Sequence, residues 1–242
     1  MSAGAVLRSA AFAALQLIVT PPWALASLLT FPFPPLARYR VISAWSRLMV
    51  WAADRICGIR YLVIGAENIP REPCIVLAKH ESAWETLALQ AILPPQVWVI
   101  KRELLWIPFF GWGLSMLSPI AIDRKAGPRA LKQMVEQGRQ RLANGFSIVI
   151  FPEGTRAVPG TRGVYQLGGA WLAVQTGASV LPVAHNAGTY WPKNALLKRP
   201  GVITVSVGPV IQPDGRKPAA LMQDIERWIE NETQRIRAHE AS

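Results

Sequence analysis

The stretch Cys74-Ile75-Val76-Leu77-Ala78-Lys79-His80-Glu81-Ser82-Ala83-Trp84-Glu85 passes from an apolar run into polar and charged residues, and an apolar pattern of helical spacing follows it to Leu93. A short continuous apolar run suits a strand buried on both faces, and the longer periodic segment suits a helix packed against it. The same alternation recurs along the chain. Apolar runs at Tyr61 to Ile64, Val97 to Ile100, Pro119 to Ile122, Ser147 to Phe151, Val180 to Ala184 and Val202 to Val207 read as further strands. Helical patterns lie at Glu85 to Leu93, Arg129 to Asn144 with Gly145 as cap, Gly168 to Thr176 and Ala219 to Arg237. Strands alternating with helices predict an α/β fold: a mixed, largely parallel sheet covered by helices.

Before this region the texture differs. No charge occurs from Ser9 to Ala37, and Arg8, Arg38 and Arg40 flank the run. About 20 apolar residues suffice to cross a bilayer core as helix. Pro21 and Pro22 fall in the middle and Pro32, Pro34 and Pro35 near the end, so a helix there is expected to kink, break or turn back. Spanning, re-entrant and signal-peptide readings all fit the stretch. A second helix over Val41 to Ile56 presents Ile42, Trp45, Leu48, Met49 and Ala52 at spacings of three and four. Its periodicity fits an interfacial helix and a core-packing helix equally. The expected organisation is a membrane-associating apolar helical appendage over residues 1–58 and an α/β domain over 59–242.

The 242-residue chain carries 26 Lys and Arg against 15 Asp and Glu, a formal net charge of +11, while charged residues make up only 17%. Apolar residues at 51% exclude intrinsic disorder. Cys57 and Cys74 form neither a disulfide framework nor a metal-ligand cluster, so no metal is expected. Basic charge attracts nucleic acids and anionic lipid surfaces alike. No nucleic-acid-binding signature or long Lys/Arg tract occurs. Trp23, Trp45, Trp51, Trp98, Trp106 and Trp112 sit instead in apolar company beside single cations, the pattern of a membrane interface. The expected partner is a membrane and not nucleic acid.

Four places invite chemistry. His80 follows a strand whose carboxyl end opens onto the crevice of an α/β sheet, where a general base is useful. Glu85 can orient its imidazole; equally, Ser82 and Glu85 have the spacing of a helix capping box, which needs no catalytic duty. Phe151-Pro152-Glu153-Gly154-Thr155-Arg156 follows another strand, with Gly154 allowing close backbone approach and Arg156 offering a fork for phosphate; an ordinary turn with a solvated Arg is the plain alternative. Lys101-Arg102-Glu103-Leu104 and Ile122-Asp123-Arg124 place cations at two more strand ends. The apolar stretch Trp106 to Trp112 between them covers a lipid tail or packs on the core.

Together, in this order, these blocks resemble the 1-acylglycerol-3-phosphate acyltransferases. The family's first block is a His followed five positions later by Asp, usually within N-H-x-x-x-x-D; here Lys79 and Glu85 replace the Asn and the Asp. The second block is similar to Lys101 to Leu104, Pro108, Gly111 and Ile122-Asp123-Arg124. The third, F-P-E-G-T-R, is complete at Phe151 to Arg156, and the fourth matches Leu181-Pro182-Val183. The matching blocks run from about residue 60 to 210. The resemblance implies that His80, oriented by Glu85, takes the proton from a lysophospholipid hydroxyl that attacks a thioester. It implies that Lys101, Arg124 and Arg156 hold the acceptor phosphate and that Glu153, Gly154 and Thr155 shape its pocket. The donor would be acyl-CoA or acyl-carrier protein, with no cofactor besides, and the catalytic domain would face the cytosol from the inner membrane. Lysophosphatidic acid is the expected acceptor; another lysolipid, such as a lyso-ornithine lipid, is the alternative. A hydrolase would have little need of F-P-E-G-T-R and the apolar arm, and a non-catalytic membrane binder none of a His and acid at a strand end.

Overall fold

The computed structural model describes residues 3–123 and 126–241. Three helices come first: α1 (Ala3–Leu28), α2 (Pro35–Ile42) and α3 (Ala44–Cys57). The α/β region follows as β1 (Ile59–Ile64), β2 (Ile75–Ala78), α4 (Trp84–Ile92), β3 (Gln96–Lys101), α5 (Phe110–Met116), β4 (Ile120–Ile122), α6 (Pro128–Ala143), β5 (Ser147–Ile150), α7 (Gly168–Thr176), β6 (Val180–His185), α8 (Ala187–Tyr190), β7 (Gly201–Val207) and α9 (Pro218–Ala241). The strands form one sheet in the order β1-β7-β6-β2-β5-β3-β4, parallel throughout except between β6 and β7. The expected mixed, largely parallel sheet is thus present, each strand close to its expected place.

Both faces of the sheet are covered, and β2 shows why its sequence is apolar throughout. Val76 and Ala78 pack in one buried cluster with α1, α3 and α4; Ile75 and Leu77 pack in the other with α6, α7 and α9. Period-two alternation sends neighbouring side chains to opposite layers. The helix α7 lies so close over β2 that a Cβ on Gly169 would stand 2.5 Å from Leu77 Cδ2. The parallel run of β6, β2, β5, β3 and β4 brings their carboxyl ends to one edge of the sheet.

The N-terminal region departs from expectation in three ways. The helix α1 is not interrupted at Pro21 and Pro22 but runs through both. The two carbonyls deprived of donors, those of Leu17 and Ile18, belong to residues exposed on the outer face. Its inner face, Ser9, Phe12, Ala24 and Ser27, is buried along most of its length against α3 and α5, so the helix lies along the domain. The outer face shows Leu7, Leu17 and Ile18, each more than 70% exposed, and α1 is long and apolar enough to cross a membrane by length and composition. Second, the expected single helix over Val41 to Ile56 is two, α2 and α3, meeting at Ser43. The core-packing alternative holds for α3, which buries Met49, Val50, Ala52 and Ala53 against α1, α4 and β1. Third, the tryptophans divide: Trp51, Trp106 and Trp112 are exposed, whereas Trp98 is buried in the core and Trp23 and Trp45 face an internal cavity.

Candidate active site

The chain leaves β2 at Ala78 and reaches α4 at Trp84, and His80 sits in this connection with 14% of its side chain exposed. Its Nδ1 lies 2.7 Å from Glu85 Oε1. The same oxygen accepts the backbone N–H groups of Glu81 at 3.0 Å and Ser82 at 2.9 Å. One oxygen therefore makes the contact that each reading of Glu85 calls for, with the Ser82 backbone N–H and with the imidazole. Ser82 departs from the expected box in one respect, since its hydroxyl accepts the N–H of Trp84, at 3.0 Å, and not that of Glu85.

Glu85 is fully buried. Burial alone pushes its carboxyl upward; the fields of His185 and His80 and the hydrogen bonds from His80 and the Ser82 N–H outweigh it and hold the group below the usual carboxylate range. An ionised acceptor at Nδ1 assigns the ring proton to that nitrogen and leaves Nε2 as the proton acceptor. The ring stacks on Phe151 with centroids 4.0 Å apart and planes at 14°.

The F-P-E-G-T-R segment and Ala157, the residue after it, bond the His80 backbone on both sides. The His80 N–H donates to Glu153 Oε1 at 3.0 Å, and the Ala157 N–H donates to the His80 carbonyl at 2.8 Å. The other Glu153 oxygen faces Lys79 Nζ at 3.4 Å. Both Glu153 oxygens are therefore engaged with the loop that carries His80, although the residue also lines the cavity described below. Burial raises the Glu153 carboxyl above its usual range, with Lys79 and the His80 N–H offsetting it only in part. Gly154 takes φ +69°, the left-handed conformation that lets the segment turn here.

A cavity of about 1040 Å³ opens in front of His80. Lys101, Gly154, Thr155 and Arg156 line it together with His80, so five residues from three strand ends border one cavity. Arg156 Nε is buried there with no hydrogen-bond partner among the described residues. Most of the remaining wall is apolar, including Trp23 and Ala24 of α1, Trp45 of α3, Phe110 and Leu114 of α5, and Leu131 and Met134 of α6. The apolar stretch Trp106 to Trp112 thus contributes the start of α5 as a cavity wall. Arg124, the remaining cation singled out in the sequence, lies outside the described residues.

His185 is fully buried, with Nε2 2.8 Å from the Lys79 carbonyl and Nδ1 accepting the Ala187 N–H at 3.2 Å. Both nitrogens are committed, so it holds structure and does not offer a second base. Sequence reasoning missed the surroundings of Lys79: fully buried, its ammonium contacts Glu230 Oε1 at 2.7 Å and the Thr161 carbonyl at 3.3 Å besides Glu153. Lys193 was missed too; it donates to the Arg156 carbonyl at 3.0 Å and lies 3.4 Å from the Thr155 hydroxyl. The only sequence signal for the former was a Lys in an otherwise apolar strand end.

Comparison with known proteins gives the family. The model of the family described as Acyltransferase matches residues 60–186. A 1-acyl-sn-glycerol-3-phosphate acyltransferase of Pseudomonas aeruginosa is 48% identical over 212 residues, 86% of this chain and 82% of that protein. The 1-acyl-sn-glycerol-3-phosphate acyltransferase alpha of Mus musculus is 32% identical over 176 residues, 71% of this chain and 62% of the mouse protein's length. Among solved structures, the 1-acyl-sn-glycerophosphate (LPA) acyltransferase of Thermotoga maritima has a TM-score of 0.76 at 22% identity, covering 97% of this chain and 95% of that one, which shows a shared fold.

Proposed function

The chain belongs to the acyltransferase family, with the 1-acyl-sn-glycerol-3-phosphate acyltransferases, and on that premise we propose that it transfers a fatty acyl group from a thioester to the free hydroxyl of 1-acylglycerol-3-phosphate. The product is phosphatidic acid. The observation that carries the reading is the joining of a Glu85-bound imidazole, a cationic rim and a large apolar chamber in one cavity.

His80 Nε2 accepts the hydroxyl proton as the oxygen attacks the thioester carbon. The Glu85 carboxylate stabilises the imidazolium that forms. Collapse of the tetrahedral intermediate breaks the carbon–sulfur bond and expels the thiolate, which takes the proton from the His80 imidazolium and leaves as the thiol. Arg156 and Lys101 hold the acceptor phosphate; the fork of Arg156, with its Nε unpartnered, suits two phosphate oxygens. Arg124 is assigned to the same phosphate. Gly154 and Thr155 shape its pocket, and Glu153 acts there by fixing the His80 peptide. The apolar walls from α1, α3, α5 and α6 receive acyl chains, whose exposure to water is costly.

The outer face of α1, within residues 1–58, and the exposed Trp106 and Trp112 of the domain of residues 59–242 associate the protein with a membrane. The donor is acyl-CoA or acyl-carrier protein, both made in the cytosol, so the domain faces the cytosol from the inner membrane. No cofactor or metal enters the scheme. The test is incubation of the purified protein in phospholipid vesicles with radiolabelled acyl-CoA, or acyl-carrier protein, and lysophosphatidic acid. Labelled phosphatidic acid is expected from at least one donor; release of free fatty acid alone would make the protein a hydrolase.

A further inference from the structure

The two peptide neighbours of His80, Lys79 and Glu81, are both fully buried charges. Such charges persist only where a partner compensates them. Each finds a partner on α9, besides the Glu153 carboxylate that faces Lys79 at 3.4 Å. Lys79 Nζ is 2.7 Å from Glu230 Oε1, and Arg237 Nη2 is 2.7 Å from Glu81 Oε1. Glu230 also accepts the Tyr165 hydroxyl at 2.8 Å, which ties in the segment after F-P-E-G-T-R.

The polarity of the two pairs is opposite: an acid of α9 meets a base of the loop, and a base of α9 meets an acid of the loop. Glu230 and Arg237 are two helical turns apart and share a face. Sliding α9 along the loop to bring either residue onto the other's partner would set acid against acid or base against base. Only one register satisfies both buried charges. The His80 peptide lies between these anchors, while Glu153 and Ala157 hold its N–H and carbonyl.

We propose that Glu230 and Arg237 are positioning residues, and that α9 clamps the catalytic loop in one register through this reversed pair of ion pairs. The inference rests on the acyl-transfer reading for its effect on rate, but the clamp itself is measurable without turnover. A misplacement of about 1 Å at a reacting group can cost on the order of 10²-fold in rate.

The experiment is a double-mutant cycle of Glu81→Gln and Arg237→Gln in the full chain in vesicles, with Arg237→Lys, Glu230→Gln and, as a control on the same helix, Glu226→Gln. Glu226 pairs with Arg162, whose side chain is 69% exposed, and takes no part in the site. Two quantities are read: kcat and KM for both substrates, and amide hydrogen exchange over residues 79–85. Each single Gln change of the clamp is expected to lower kcat roughly 10- to 100-fold with KM within about twofold. The Glu81/Arg237 double variant should lose no more than the worse single, Arg237→Lys should recover part of the loss, and exchange over 79–85 should accelerate in step. Glu226→Gln should change neither quantity. Additive losses, unchanged exchange over 79–85 in Arg237→Gln, or an equal loss from Glu226→Gln would each overturn the clamp. Wild-type protein without transferase activity would sink the functional reading instead, and exchange would still decide the clamp.

Discussion

Replacing Glu85 by Gln separates charge from shape at the centre of the site. In the folded chain Oε1 accepts three donors, from His80 Nδ1, the Glu81 N–H and the Ser82 N–H, and Oε2 has no partner among the described residues. A Gln amide oxygen can take all three donors, so the loop and the start of α4 keep their geometry. Hydrogen bonds to a neutral acceptor are weaker than to a carboxylate, but the burial penalty of the anion disappears as well, so stability should change by no more than about 1–2 kcal/mol. Catalysis loses the charge that faces the imidazolium. Unit charges about 4 Å apart at an effective dielectric near 20 interact by about 4 kcal/mol. At 1.36 kcal/mol per tenfold, turnover should fall roughly 10³-fold. Thermal unfolding and steady-state acyl transfer on the same purified variant measure the two numbers. Glu85→Asp, which retains the charge on a shorter arm, should turn over faster than Glu85→Gln. Wild-type turnover in Glu85→Gln across pH 6 to 9 would refute the reasoning and leave Glu85 a helix cap alone.

Arg156→Ala should lower kcat/KM for lysophosphatidic acid by roughly 10- to 100-fold, the scale of lost charge-assisted bonds, with KM for the thioester little changed; Lys101→Ala should act in the same direction more mildly, and equal losses for both substrates would oppose this division. On α1, Phe12→Ala removes a fully buried ring packed edge-on against Trp191 at 5.2 Å and should cost about 3–5 kcal/mol by denaturant unfolding, whereas Leu17→Asp on the outer face should weaken vesicle binding without lowering the melting temperature. The reverse pattern would mean that the inner and outer faces of α1 are misassigned. Burial raises both thiols, that of Cys74 to about 11, so neither Cys57 nor Cys74 should react with iodoacetamide at pH 8 in the native protein at the rate each shows in denaturant, as mass spectrometry would record.

The sheet was readable because a strand covered on both faces reads as a near-continuous apolar run, as Ile75 to Ala78, Ile148 to Ile150 and Val180 to Ala184 do. Strand ends were equally plain, which is why His80, Lys101 and Arg156 could be expected at one edge of the sheet. Local rules failed where tertiary packing decides. Pro21 and Pro22 signal a break, yet a helix whose freed carbonyls face outward continues through them. Periodicity showed that Met49 and Ala52 face something apolar; it could not say whether that was lipid or α1 and α4. The Glu85 alternatives looked opposed because a motif assigns one partner per residue, whereas a single buried oxygen serves three donors. The contacts of Lys79 with Glu230 and of Glu81 with Arg237 join residues about 150 positions apart, a distance at which one sequence carries no spacing signal.

The most direct measurement is turnover of purified His80→Ala in vesicles with labelled thioester and lysophosphatidic acid, beside wild type, with circular dichroism and vesicle binding on the same samples. Fold and binding should be unchanged and formation of phosphatidic acid lowered by roughly 10²–10⁴-fold, the loss expected when a general base is removed. Near-normal turnover in a folded, vesicle-bound His80→Ala protein would contradict the assignment of the imidazole, and with it the mechanism built on this cavity.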